Sequence, residues 1–267
     1  MTLRATVWLL TAVFYALSGG LSFASLWRGD QRAQPWAMRA LAIGVGTHFL
    51  FIGLTCITGA TPLDGIHNVL GATAFILTTG HLMTMRRERL AVLGAFVMPV
   101  ALLMLLGAGL GDDVARVSDG ARAALLPVHV SVNVLGIAAF TLAFAVAIAY
   151  IIQERMLRRR QLGGVFKRLP ALDVLDSLGL RLVTIGFPLF TIGVLTGTMW
   201  TVRLGGNPIA PTTAQGFALL AWAFFGAVLF ARAAAGWRGR RAAIGTVLGF
   251  VCAMAAMVGY LMRGVEG

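Results

Sequence analysis

The sequence predicts an all-α polytopic integral membrane bundle of about eight transmembrane helices, with both termini outside. Three observations carry that reading. The 267 residues are 58% hydrophobic and only 12% charged, with a mean hydropathy of +0.85, whereas a soluble domain carries about a quarter charged residues. Apolar runs long enough to cross the ~30 Å hydrocarbon core as helices recur along the whole chain. Basic residues crowd into alternate connections between those runs. Short alternating segments of the barrel type are missing, and in lipid only helices or closed barrels satisfy the backbone.

Eight segments qualify, in a single membrane domain over 1–267: near 5–27, 37–58, 67–85, 90–110, 127–152, 181–202, 216–235 and 242–262. The first has only Arg4 ahead of it and exceeds the apolar stretch of a typical signal peptide, so it reads as a span. Cleavage at ALSGG would leave seven helices with the same sidedness. Between the fifth and sixth, KRLPALDVLDSLGLR sets Leu169, Leu172 and Leu175 three apart, with Asp173 and Asp176 on another face. That spacing predicts a separate amphipathic helix at the cytoplasmic interface over 167–180. On the other side, GLGDDVARVSDGARAALLP and RLGGNPIAPTTAQ are long enough to cover an outward-facing site. Gly193 with Gly197, and Gly245 with Gly249, have the small-x-x-x-small spacing of closely packed membrane helices. Cys56 and Cys252 form no C-x-x-C pair and read as small buried packing residues.

The connections RGDQR, RRER, QERMLRRRQLGGVFKR and GWRGRR, with the adjoining helix ends, hold 17 of the 22 basic residues. Arg4, Arg116, Arg122, Arg203 and Arg263 are the remainder. This bias assigns the first group to the cytoplasmic side of the membrane. It also accounts for the net charge of +12 as a rim facing the lipid bilayer, and argues against a nucleic-acid partner.

Inside the spans the notable ionisable groups are histidines. His48 falls near mid-depth, where a polar group most needs a partner. It reads equally as a hydrogen-bonded structural residue or a functional one, sharing a helical face with Gly44 and Thr55. His67 and His129 head the third and fifth segments on the outer side, and His81 lies at the inner end of the third. His67 and His81 read as solvated interface residues. They stand roughly 21 Å apart along one helix, so one metal cannot join them. His67 and His129 share a depth, which permits an outward bis-histidine site. Asn133 follows His129 by one turn, on the same face. No phosphate loop, H-E-x-x-H pair, G-x-S-x-G elbow or clearly intramembrane carboxylate is present, which argues against a hydrolase and leaves a proton relay built on Asp or Glu without an anchor.

The run LPALDVLDSLGLRLVTIGFPLFTIGVLTGTMW, followed by AWAFFGAVLFARAAAGWRGRRAA, resembles the haem-handling cytochrome c assembly superfamily of CcsA, CcmC and HemX. VHVSVNVLGIAAFTLAFAVAIAYIIQERMLRRR is similar to that family's helix opening on an outward histidine, and GVGTHFLFIGL to its early helix with a mid-membrane histidine. The resemblance implies haem as cofactor. His129 then takes the first position flanking the family's outer haem loop, W-G-x-x-W-x-W-D. Here that loop reads TVRLGGNPIAPTTAQ, without tryptophan, and no histidine follows His129. The chain is therefore most similar to the smaller HemX/YpjD-type branch. Haem held by His129 with His67, or by His48 deeper in the bundle, with Asn133 behind His129, is one expectation. It gives a binding and transfer role alongside cytochrome c maturation proteins, and not an enzyme. The other is a scaffold docking a haem-biosynthetic enzyme such as glutamyl-tRNA reductase on its basic face.

Overall fold

The computed structural model describes residues 2–30, 32–59, 61–62, 65–84, 88–109, 125–203 and 212–266. Within them the chain forms α1 (Leu3–Arg28), α2 (Ala33–Ile57), α3 (Gly65–Thr84), a single turn α4 (Glu88–Ala91) and α5 (Gly94–Ala108). There follow α6 (Leu125–Arg158), a second single turn α7 (Val165–Arg168), α8 (Leu172–Arg203), α9 (Thr213–Ala235) and α10 (Arg240–Glu266). Most of both predicted outer loops lies outside the described residues.

Local chemistry sets the boundaries. Thr2 Oγ1 accepts from Ala5 N and starts α1. Thr212 and Gln215 form a reciprocal capping box at the start of α9. Gly29 ends α1 at φ 79°, and a side chain there would also overlap the Arg168 guanidinium. That guanidinium donates to the Leu26 carbonyl oxygen at 2.7 Å, satisfying one of the free carbonyls at the helix end.

Among the described residues six helices are long and apolar enough to cross a membrane: α1, α2, α6, α8, α9 and α10. Two of the eight expected spans are not among these six. With 15 residues, α5 extends only about 22 Å at 1.5 Å per residue, short of the hydrocarbon thickness. α3 carries His67, Asn68, His81 and several threonines and is not among the six. Both sit against neighbours: α3 on α5, α2 and α6, and α5 also on α1. The expected independent helix over 167–180 is not formed either. Leu169, extended before Pro170 (φ −71°, ψ 148°), ends the α7 turn. From Leu172 onward nothing breaks the helix, so that segment is the first part of α8.

α1, α2, α3 and α5 enclose one apolar core around Tyr15, Leu41, Leu77, Met98 and Leu105. α6, α8, α9 and α10 enclose a second, where Phe140 stacks on Phe225 at 3.6 Å between centroids. α6 joins the halves, contributing Ala138 and Ala145 to the first core. Gly245 and Gly249 of α10 take Val228 and Phe225 of α9, as their spacing predicts. Cys56 is exposed and Cys252 half-buried, so the expected burial of Cys56 is corrected.

Side chains tie the arginine-rich helix ends together. Arg232 of α9 pairs bidentately with Asp176 of α8, which also accepts from Gly239 N. Glu154 of α6 pairs with Arg158 at 2.7 Å and Arg240 of α10 at 3.8 Å. This is the basic end of the bundle.

Candidate functional site

Along α1, Thr11, Tyr15, Ser18 and Ser22 recur at helical spacing, and all four are buried. Within that row Thr11 donates to Val7 O or Thr47 Oγ1, and Tyr15 meets His48. Tyr15 is fully buried, and its ring is admitted by Gly44 of α2, where a Cβ would fall 2.8 Å from Tyr15 Cδ1. One turn beyond Gly44, His48 is fully buried, with Phe51 and Thr55 on the same inner face. His48 Nδ1 lies 2.9 Å from the Tyr15 hydroxyl, which lies 2.7 Å from Thr78 Oγ1 of α3. The other ring nitrogen, His48 Nε2, is buried without a hydrogen-bond partner. It points toward Gly71 of α3, whose Cβ position is 4.0 Å away.

Gly71 is also one wall of a groove between α2 and α3. Phe51, Thr55, His67, Asn68, Gly71 and Ala72 are among its walls. His67, one turn before Gly71, is a wall of the same groove. It is buried rather than solvated, correcting the sequence expectation, because the end of α5 packs over it. His67 Nδ1 is 2.8 Å from the Gly107 carbonyl oxygen, an acceptor only, so Nδ1 carries the proton and Nε2 the lone pair. Trp8 Nε1 donates to Leu105 O at 2.9 Å. The two residues thus satisfy terminal carbonyls of α5.

His129 stands in a different environment. Its Nδ1 is 2.9 Å from Thr196 Oγ1 on α8. Thr196 spends its own hydrogen on Ile192 O at 2.7 Å, so it accepts from His129. Asn133 Nδ2 donates to the His129 carbonyl at 2.7 Å. A Cβ on Gly197 would fall 2.9 Å from His129 Cε1, and one on Gly193 would overlap Asn133. The glycine pair read from the sequence as packing grammar is what seats His129 and Asn133 against α8. Gly193→Val is expected to cost about 1–3 kcal/mol by overpacking that seat. A lowered thermal midpoint in detergent checks this, and an unchanged one contradicts it.

His81, expected at a wet rim, is buried instead. The point where a Gly94 Cβ would lie is 2.8 Å from Ser22 Oγ and 2.9 Å from His81 Nε2, so the bare glycine of α5 makes the space. Among the described residues no three His, Cys, Asp or Glu side chains gather as a metal cluster. His67 lines the groove between α2 and α3, His48 Nε2 faces Gly71 of that groove, and His129 is turned to α8. Tyr15 and Thr196 were missed from the sequence, and Gly71 and Thr78, on the face that His67 and His81 share, were given no role there. The polar row on α1 was the available signal for Tyr15.

A profile of the family described as Cytochrome C assembly protein matches residues 65–264, from α3 through most of α10. The chain belongs to that family. It is 25% identical over 234 residues to the cytochrome c biogenesis protein CcsA of Synechococcus sp. (strain CC9902), covering 78% of this chain and 77% of that protein. With CcsA of Gloeothece citriformis (strain PCC 7424) it shares 26% over 255 residues, covering 77% and 78%. A solved structure, Cytochrome c Heme Lyase CcmF, superposes with a TM-score of 0.66 at 16% identity, covering 98% of this chain and 52% of that one. The chain spans about half the length of that heme lyase, and the likeness is one of fold. It extends to α1 and α2, and so to Tyr15 and His48, which precede the profile match of this cytochrome c assembly protein.

Proposed function

We propose that this member of the cytochrome c assembly family binds haem against α2 and α3 and handles it for cytochrome c maturation, with His48 Nε2 as a ligand atom. One observation carries the reading: a fully buried imidazole nitrogen with no hydrogen-bond partner, aimed at a glycine on a groove wall. An unmatched acceptor inside a bundle costs about 1–3 kcal/mol, and groups left so in native structures mark a bound partner or a functional role.

The donor chemistry of the residues present suits a haem-iron ligand. A neutral imidazole is a common haem-iron ligand, and its other nitrogen is ordinarily anchored by hydrogen bonding. His48 is anchored through Tyr15 and His67 through Gly107 O. Gly71 presents no side chain toward His48 Nε2, and Phe51 with Ala72 lines the groove with apolar surface. Haem bound there would supply a redox-active iron in an apolar surrounding. His129, with Asn133 behind it, forms a separate candidate contact on α8, at the mouth that the family resemblance assigns to haem. The tryptophan-free run TVRLGGNPIAPTTAQ supports a reading as the HemX-type branch, acting by binding and transfer together with cytochrome c maturation proteins.

The basic end belongs in the cytoplasm of a bacterial inner membrane, with both termini outside. Single cysteines in 112–120 are expected to label from outside intact cells, and those in 158–168 only after lysis. Labelling of the second set from outside reverses the orientation. For haem, protein purified from haem-replete cells is expected to show a Soret band that His81→Ala retains. No band after haem supplementation overturns the reading.

A further inference from the structure

The hydrogen-bond chain behind His48 has a direction. Thr78 Oγ1 lies 2.8 Å from the Ala74 carbonyl oxygen and 3.1 Å from that of Phe75. Carbonyl oxygens only accept, so the single hydroxyl hydrogen of Thr78 is committed to them. At 2.7 Å, the Tyr15 hydroxyl therefore donates to Thr78 Oγ1. With that hydrogen spent, the Tyr15 oxygen can only accept from His48 Nδ1, 2.9 Å away. The imidazole proton is held on Nδ1, which leaves the lone pair on Nε2.

We propose that Thr78 and Tyr15 are positioning residues that lock His48 in the Nδ1–H tautomer and so keep Nε2 an unprotonated ligand atom facing Gly71. The purpose of the lock rests on the reading of His48 as a haem ligand; its chemistry does not. Three helices contribute one member each, and the chain ends on a backbone carbonyl inside α3. Orientation is thus enforced with neutral groups alone. A carboxylate behind the histidine would orient it equally well, but would place a charge within the bundle, where it is expensive. Packing leaves the ring little freedom to turn. Tyr15 and Phe75 meet it edge-on at 5.7 and 5.5 Å between centroids, and Phe51 stands at 6.1 Å. An Nδ1–H that donates also makes the imidazole a stronger ligand, because it raises the basicity of the other nitrogen.

The decisive variant is remote from the ligand atom. Thr78→Val removes the acceptor for the Tyr15 hydroxyl while keeping the side-chain shape. The freed hydrogen then turns to His48 Nδ1, and the imidazole proton moves to Nε2. In haem-free protein with ¹⁵N-labelled histidine, with the His48 signals assigned by their loss in His48→Gln, the wild type is expected in the Nδ1–H form. Thr78→Val is expected in the Nε2–H form, Thr78→Ser in the wild-type form, and Tyr15→Phe as a mixture. On haem titration, Thr78→Val should bind about tenfold more weakly, the lower range for loss of a group supporting a ligand. An unchanged tautomer in both Thr78→Val and Tyr15→Phe, or an Nε2–H wild type, overturns the lock whether or not haem binds. Tautomer reversal with no Soret band in any variant supports the lock and overturns the haem reading instead.

Discussion

His48→Leu is expected to abolish the Soret band of the purified protein while sparing most of its folded yield. Leucine fills a similar volume among Tyr15, Phe51 and Phe75, so the core of α1, α2 and α3 keeps its packing. The structural cost is one lost hydrogen bond, about 1 kcal/mol, because the Tyr15 oxygen loses its donor. The loss in binding is far greater. Residues merely supporting a ligand contribute roughly 10–100-fold in affinity, and removing the ligand atom itself is expected to exceed that. His48→Met separates ligation from packing: it keeps an axial donor while discarding the imidazole hydrogen bonds. Haem retained by methionine and lost by leucine supports ligation at this position. A band that survives His48→Leu but disappears in His129→Ala moves the site to the seat between α6 and α8.

Asp176→Ala is expected to be the most destabilising single change at the basic end. The carboxylate accepts from Arg232 at 3.0 and 2.7 Å and from Gly239 N at 2.9 Å. It thereby joins the start of α8 to the end of α9 and to the turn before α10. The partners' side chains are 11% and 20% exposed, so neither group is free to rehydrate fully when the other is removed. Breaking such a pair from one side costs about 3 kcal/mol, the low end for buried pairs. Asp176→Asn, which can still accept from Gly239 N, should recover part of the loss. Thermal unfolding in detergent reads the order wild type, Asn, Ala. An unchanged midpoint in Asp176→Ala shows that water replaces the pair without cost.

The histidines show how far a sequence reaches. Spacing put His48 on one face with Gly44 and Thr55, and that face is the buried one. Spacing could not place His67 or His81, which stand near helix ends where the chain reads as wet. Burial there depends on α5, whose 15 residues cover both: Gly107 receives His67, and Gly94 makes room for His81. The 167–180 segment failed for a related reason. Its leucine spacing describes an amphipathic face, but not whether the helix stops at Arg181 or continues into the span.

The sequence by itself determined the helical class, the arginine-rich end and the family, because composition, run length and motif order are local and need no partner. It also named the histidines. Tertiary structure alone decided what each histidine does: His48 joins Tyr15 and Thr78 from two other helices, while His129 lies against Gly197 and Thr196. The reason lies in the solvent. In lipid an interior face is no more apolar than an outward one, so hydropathy does not mark which faces meet. Small residues and single hydrogen bonds choose the neighbours, and those are legible only once the helices are packed.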